Sequence, residues 1–477
     1  MGWKEVLDGS QRWAIEQADC LDLLKLLPEN SVDSIVCDPP AGLAFMGSKR
    51  WDSFGKNPRD AFTAFITEVF TEALRVLKPG GHALVWTLPK TSHWTTWGVE
   101  SAGFEIRDQL LHIFGSGMPK TRDMSEHIDS MNGDVRPVLG TRPDAAKLNK
   151  TVQEAPGGWE TGPRRPELTG PGSETSAAWE GWSTALKPSV EMWSLARKRL
   201  RGTVASNVME WGTGALNIGA CRGETDSTPE TASRDGEESA ERRYAERGGT
   251  NFAMAPGPRG GDPDGRWPSH LLISHDPECE EGACVVGCPV WIMDQQSGHS
   301  KTNPFRPNTK GVLNTGATYG SGTRKKDWRG PGDAGGASRY FTVFRYTKKA
   351  ARSEKDRGCE GLYWKIDKAQ RSGISAVTHE EWAQLDPKQR TQGNVHNTVK
   401  SIDLMSWLAR LVTPANGVCL DIFGGSFTTG LACMKEGFRF IGVEREPEYV
   451  LIGAARMKAW EEEFCGKKKE KGQLALL

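Results

Sequence analysis

Net charge is the first thing this chain lacks: its 61 Lys and Arg are matched by 61 Asp and Glu over 477 residues. A uniformly basic surface for a polyanion is therefore excluded, and any such contact must come from local clusters. No apolar run of membrane-spanning length and no signal peptide are seen, so a cytoplasmic protein with no membrane partner is expected. The ten cysteines are too scattered for a secreted disulfide scaffold, and most should be reduced. Internal repeats are also absent. The length permits two or three domains, or one sheet domain with a large insertion, and the pattern below favours the second.

What is present is an alternation of short apolar runs and helical periodicity. Residues 14–20 and 34–37 read as strands around a short helix over Leu21–Leu27. Helical spacing from Arg59 to Leu77 stops at Lys78-Pro79-Gly80-Gly81, and an apolar strand over His82–Leu88 and a helix over Thr91–Ala102 follow. Phe104–Phe114 and Val190–Arg197 read as an antiparallel pair whose connection carries an insertion. Residues 119–182 and 219–265 are rich in Gly, Pro, Ser, Thr and charge, so loops or poorly ordered segments are expected there. Better core-forming material returns over 266–337, with Trp267, Leu271-Leu272-Ile273 and Val285-Val286.

Two segments carry chemistry. Asp38-Pro39-Pro40 closes the apolar run Ser34–Cys37. Its carboxylate suits accepting one N–H of an amino group, while the rigid diproline turns a backbone carbonyl towards the other. The same tripeptide is also ordinary turn chemistry after a strand. Near the other end, Val418–Asp421 reads as a buried strand entering the turn Ile422-Phe423-Gly424-Gly425-Ser426, with a helix opening at Thr428-Thr429. A second strand, Phe438–Val443, ends at Glu444, about twenty residues beyond the glycine turn, the spacing of a ribose-binding acid. Together these features describe a nucleoside site.

On these residues the chain resembles the amino-directed DNA methyltransferases, which methylate adenine N6 or cytosine N4 with S-adenosylmethionine. Asp38-Pro39-Pro40-Ala41 stands for the family's D/S-P-P-Y motif, and Asp421 to Thr429 for D-P-F-x-G-S-G-T-T. The catalytic motif comes first, the order of the β class. Ala18-Asp19-Cys20-Leu21 with Leu27–Asp33 resembles the approach to the catalytic strand, and His396-Asn397-Thr398-Val399-Lys400 resembles H-P-T-V-K-P. Gly115–Lys120 and Ala185–Pro188 resemble larger phage-type members.

The resemblance implies an α/β fold, a doubly wound and mostly parallel methyltransferase sheet with a large inserted target-recognition region. Residues 1–118 would form the catalytic half, 119–182 a loop-rich insertion, 183–201 a returning strand, 202–337 the recognition region, 338–465 the cofactor half and 466–477 a charged tail. It also implies S-adenosylmethionine as cofactor, double-stranded DNA as partner, and adenine N6 as preferred target because the motif begins with Asp. Cytosine N4 methylation and a catalytically silent DNA-binding protein of the same fold are the alternatives. A homodimer and a partner restriction nuclease are left open.

Residue by residue, Asp38 to Ala41 would hold the amine of a flipped base. Asp421 and the amides of Phe423, Gly424 and Gly425 would hold the methionine portion, Glu444 the ribose and Asp19-Cys20 the adenine edge. Ser426, Thr428, Thr398 and Lys400 belong to the same cofactor segments. Two positions depart from the family. Ala41 replaces the aromatic that stacks on the base, so Phe45 or Trp51 would stack instead, the site would take a bulkier arrangement, or transfer would be weak. Phe427 replaces a glycine in a turn needing positive φ, and Gly424 would supply that freedom upstream.

Clustered cations supply the expected DNA contacts: Lys120, Arg197-Lys198-Arg199, Lys325 and Lys348. Finally, His275, Cys279, Cys284 and Cys288 place four donors within fourteen residues, and one zinc ion with three thiolates and one imidazole would staple a loop lacking its own core. The spacing is not that of a standard zinc ribbon, unrelated buried thiols are the other reading, and Cys221 is an alternative ligand.

Overall fold

Nine of the apolar runs join in one sheet: β1 (Trp13–Gln17), β2 (Val32–Cys37), β3 (Leu77–Thr87), β4 (Glu105–Ile113), β5 (Val190–Arg197), β6 (Leu271–Ser274), β7 (Thr342–Phe344), β8 (Val418–Asp421) and β9 (Arg439–Glu444). Their order is β1-β9-β8-β2-β3-β5-β4-β6-β7. The first five positions run parallel, β5 is antiparallel to both neighbours, and β4, β6 and β7 are mutually parallel. The computed structural model describes residues 2–43, 52, 54–55, 57–115, 117, 121–141, 167–223, 266–276, 278–280, 283–301, 306–307, 327–328, 334–344, 352–367, 373–396 and 398–474.

Helices cover both faces, which is why the central strands are apolar without alternation. Helices α1 (Cys20–Leu26), α2 (Pro58–Val76) and α3 (Ser92–Ser101) pack on the face that receives Ile35 and Cys37. Val36 points the other way, into the layer built by α5 (Ile402–Val412), α6 (Thr428–Glu436) and α7 (Pro447–Leu474); a shorter helix, α4 (Pro289–Ser297), follows β6. From β2 the chain winds through α2 to β3, and from β8 through α6 to β9 in the opposite direction. The reversal falls between β2 and β8, where an open α/β sheet forms its ligand crevice.

The doubly wound, mostly parallel sheet matches the expectation, with three differences. First, Lys78-Pro79-Gly80-Gly81 does not separate α2 from a strand; it lies inside β3. Leu77 pairs with Val32, Lys78 Nζ reaches Asp33 at 2.6 Å, and Gly80 N–H donates to the Lys198 carbonyl, so tertiary partners outweigh the local stop signal. Second, Leu271–Ser274, assigned to a separate recognition region, joins the sheet beside β4. Third, Ser116–Ser189 and Gly361–Val395 form a second compact unit, so 338–465 is not one continuous half.

Within that second unit, the region expected to be loops holds a helix, Met124–Asn132, and a hairpin of Val138–Thr141 with Glu167–Thr169. Buried Asp129 organises it, accepting from Arg136, Gly172 N–H and Ser173 Oγ. A three-stranded sheet of Gly373–Val377, Tyr363–Asp367 and Arg390–Gln392 completes the unit, with buried Trp364 donating to the Gly393 carbonyl at 2.8 Å.

Phe427 resolves differently from the expectation. It does take the left-handed conformation, at φ +56° and ψ +38°, while Gly424 is not among the positive-φ positions and Gly425 is, at +51°. The cost is offset by complete burial of the ring, edge-on to Phe440 at 6.3 Å. Gly424, Gly442 and Gly453 leave the slot that the ring fills, because a methyl group on any of them would overlap it. Gly442→Ala would put a carbon 2.6 Å from the ring, so it should destabilise the protein by about 1–3 kcal/mol. Urea unfolding measures this, and an unchanged midpoint would contradict the packing.

Candidate active site

Four adjacent parallel strands end in the same direction, and each is followed or closed by an acid: Asp19 after β1, Glu444 at the end of β9, Asp421 at the end of β8 and Asp38 after β2. Register places Gln17 opposite Glu444, Asp421 opposite Gly442 and Leu420 opposite Ile35. With strands about 4.8 Å apart, the row spans roughly 14 Å, enough for an extended nucleoside ligand. A shallow groove between α2 and α3, lined by Thr63, Thr67, His93, Trp94 and Trp97, contains none of these acids.

Asp38 is not alone at its strand end. Lys400 Nζ lies 3.2 Å from Asp38 Oδ2 and 3.3 Å from Glu191 Oε1, and sits 4.3 Å from the centre of the Trp86 ring. Glu191 comes from β5 and lies 3.8 Å from His112 Nδ1, whose Nε2 is 2.6 Å from Ser274 Oγ. Burial pushes Asp38 up, with Lys400 opposing and Glu191 assisting. Burial also acts upward on Glu191, but Lys400 and His112 outweigh it and hold it at about 2. Burial would lower Lys400, yet the two carboxylates raise it. The ammonium therefore stays charged, Glu191 stays ionised, and Asp38 is the member of the trio poised to take a proton.

The cofactor-type loop is stitched internally. Phe423 N–H donates to Asp421 Oδ1 at 3.1 Å, Gly424 N–H to the Val443 carbonyl at 2.8 Å and Gly425 N–H to Glu444 Oε2 at 2.8 Å. These three amides, expected to hold a methionine portion, are thus already used by the protein. Ser426 and Thr428 also turn inward: both are buried, and their hydroxyls accept from Arg456 Nη1 at 3.2 and 3.0 Å. What remains towards the crevice is carboxylate. Burial raises Asp421 to about 7, with Asp38 and Glu444 adding to the rise, and burial likewise raises Glu444. Asp19 caps α1 by accepting from Leu21 N–H at 3.0 Å, whereas the Cys20 thiol is buried in the core, which pushes it to about 12.

The His396–Lys400 segment bridges the two halves. His396 lies against Gly425, where any side chain would strike its ring, and packs on Tyr449 at 4.6 Å. Lys400 reaches Asp38 and not the glycine turn; Thr398 is exposed and its N–H donates to His396 Nδ1 at 3.4 Å. Ala41 is fixed by Thr91 Oγ1, which donates to its carbonyl at 2.8 Å, and buried Asp52 accepts from Gly42 and Leu43 N–H. Phe45 and Trp51 lie outside the described residues.

Two of the expected DNA-contact cations, Arg197 and Lys198, are already engaged within the fold. Arg197 pairs with Glu105 at 2.7 Å, and Lys198 Nζ donates to Asn30 Oδ1 and to the carbonyls of Arg75 and Leu77. Because β5 is antiparallel to β3, with Met192 facing Thr87 and Arg197 facing His82, both lie back from the carboxyl end of β3 and away from the crevice. Arg199 alone of the three is exposed. Lys120, Lys325 and Lys348 lie outside the described residues. His275, Cys279, Cys284 and Cys288 do converge, whereas Cys221 is buried elsewhere, with its thiol donating to the Trp407 carbonyl.

Sequence reasoning missed Glu191, His112, Trp86, Asp52 and Arg456. The one local signal was Arg456, a cation on the buried face of α7 between Ile452 and Met457. Glu191 and His112 sit in ordinary-looking strands and acquire meaning only through pairing.

Comparison with known proteins follows the same lines. Residues 297–455 match the N6_N4_Mtase family model, described as DNA methylase. The chain is 35% identical over 82 residues to the type II methyltransferase M.BamHI of Bacillus amyloliquefaciens, which is 17% of this chain and 18% of that protein. It is 42% identical over 53 residues to the type II methyltransferase M.PvuII of Proteus hauseri, 11% and 16% of the two chains. The chain thus spans under a fifth of the length of these curated relatives. The solved PvuII DNA methyltransferase (cytosine-N4-specific) covers 94% of this chain, and 86% of its own, at a TM-score of 0.38 and 12% identity. The resemblance read from the motifs holds over the family-model segment.

Asp421 gives a pH test. Its folded pKa lies near 7, above the unfolded value of about 3.9, so its contribution to stability is full below pH 4 and is lost as pH rises through 7. Asp421→Asn should therefore gain stability relative to wild type between pH 5 and pH 8. Parallel urea-unfolding curves at the two pH values would refute the assignment.

Proposed function

We propose that this chain, whose residues 297–455 match the DNA methylase family model, is an amino-directed DNA methyltransferase that uses S-adenosylmethionine, with adenine N6 as its preferred target. The observation that carries the reading is the adjacency of β2 and β8 at the winding reversal, which puts Asp38 and Asp421 on one crevice from opposite ends of the chain. The carboxylates fit the donor: Asp421 and Glu444 are acceptors suited to an ammonium group and to ribose hydroxyls. When bound, the cofactor supplies a methyl group already activated on a sulfonium.

The residues then have an alignment task. Asp38 accepts one N–H of the target amine and directs its lone pair at the methyl carbon. An exocyclic amine that accepted a methyl group there would become cationic and have to lose a proton, and Asp38, raised by burial, is placed to take it. Lys400 opposes the rise that burial imposes on Asp38, while Glu191 keeps Lys400 in place. A base in duplex DNA must leave the stack to reach this depth, at a cost of a few kcal/mol. Ala41 favours one rival, a DNA-binding protein without transfer; Phe427 does not, since its ring fills the core.

Incubation of unmodified double-stranded DNA with labelled S-adenosylmethionine, followed by nucleoside mass analysis, should give N6-methyladenine. N4-methylcytosine would move the target, and DNA binding without label would establish the silent reading.

Asp38→Ala should abolish transfer and leave calorimetric cofactor affinity largely intact; wild-type turnover would sink the catalytic assignment. Glu444→Ala should weaken cofactor binding by about 1–3 kcal/mol, as for loss of a charged acceptor. An unchanged dissociation constant would leave Glu444 with only its loop-holding bond to Gly425.

A further inference from the structure

The connection between β6 and α4 supplies no side chain to the crevice, yet it is the densest group of soft donors among the described residues. His275 follows β6 directly and Cys288 immediately precedes α4, with Cys279 and Cys284 between them. The four donor atoms lie within 4.8 Å of one another. Cys284 Sγ is 3.2 Å and Cys288 Sγ 3.6 Å from His275 Nδ1, and the three cysteines are free thiols. A tetrahedral zinc ion with bonds of about 2.3 Å to sulfur and 2.0–2.1 Å to nitrogen requires donor separations of roughly 3.5–3.8 Å, so the side chains need little movement.

We infer that His275, Cys279, Cys284 and Cys288 bind one zinc ion, and that this ion anchors β6, the strand next to the β7 edge of the sheet. Three thiolates with one imidazole suit zinc, while iron–sulfur clusters generally call for four cysteines. The surroundings already support sulfur bearing charge: Val285 N–H donates to Cys279 Sγ at 3.4 Å and Asp276 N–H to Cys288 Sγ at 3.5 Å. The local core is small, with Ile273, Cys279, Cys288 and Val290 as its buried members, so two of its four buried side chains are the proposed ligands themselves. Such a loop gains its order from the metal.

Anchoring β6 has a consequence for the crevice. Ser274 is the neighbour of His275, and its hydroxyl is 2.6 Å from His112, which faces the Glu191 that shares Lys400 with Asp38. The zinc loop therefore holds the outer end of the chain of contacts that positions the acceptor carboxylate.

Full-length protein purified without chelators should carry about one zinc per chain by elemental analysis. Cys284→Ser and Cys288→Ser should reduce this to near zero, whereas Cys221→Ser should leave it unchanged. Folded wild-type protein that contains little zinc and takes up none when it is supplied would overturn the inference, as would zinc retained by Cys288→Ser. If the serine variants do not fold, wild type grown with cobalt decides: thiolate-to-cobalt charge transfer with tetrahedral ligand-field bands supports the site, and their absence removes it. Chelation should speed hydrogen exchange in 271–274 and 342–344 before 418–421 and 439–444. Equal acceleration would remove the anchoring role. None of these readouts uses methyl transfer, so they stand or fall apart from it.

Discussion

The parallel pairing of β2 with β8 carries the rest of the structure, because it joins segments 385 residues apart in a single crevice. Closing a loop of that length costs about 5 kcal/mol by the logarithmic law, apart from the constant for initiating contact. Six consecutive buried residues in β2 offset it, at about 1.5–3 kcal/mol for each large aliphatic side chain. Asp33 adds direction: one oxygen accepts from Val418 N–H at 2.7 Å and the other from Lys78 Nζ at 2.6 Å, so one buried acid ties three strands. Ser34 and Thr413 add a buried hydroxyl contact at 2.8 Å.

Once that pairing exists, the electrostatics of the crevice follow. Parallel strands deliver their following residues to one edge, and here those residues are acids, which repel one another in a poorly hydrated space. Lys400 relieves the repulsion at one end. Lying between Asp38 and Glu191, it stays charged against its own burial, and His112 helps to hold Glu191 low. Asp421 and Glu444 have only hydrogen-bond donors as relief, and both are raised. A cationic ligand beside Asp421 would remove that penalty, so the same feature that costs stability without ligand favours binding with it.

The loop between β8 and α6 is built from beneath. Phe427 enters a slot left by three glycines, and Arg456 holds the Ser426 carbonyl and hydroxyl and the Thr428 hydroxyl. The aromatic ring in place of a small residue therefore stiffens the loop from the core side. Its side chain is kept away from the crevice by the left-handed turn that a bulky residue ordinarily avoids.

Strand ends, the acids at Asp38, Asp421 and Glu444, the antiparallel partnership of β4 with β5 and the four metal-type donors were legible from the chain alone, because each depends on local periodicity or on spacing within a short segment. The direction of Lys400, the roles of Glu191 and His112 and the inward turn of Ser426, Phe427 and Thr428 were not, since their partners are supplied by other strands and helices. Arg197 and Lys198 read as free cations for the same reason: Glu105 and the carbonyls of Arg75 and Leu77 that hold them are distant in sequence. Sequence by itself determined which residues could carry charge or close a strand. Tertiary structure decided which charges neutralise one another inside the fold and which are left facing the crevice, because burial and pairing, unlike residue type, are properties of neighbours.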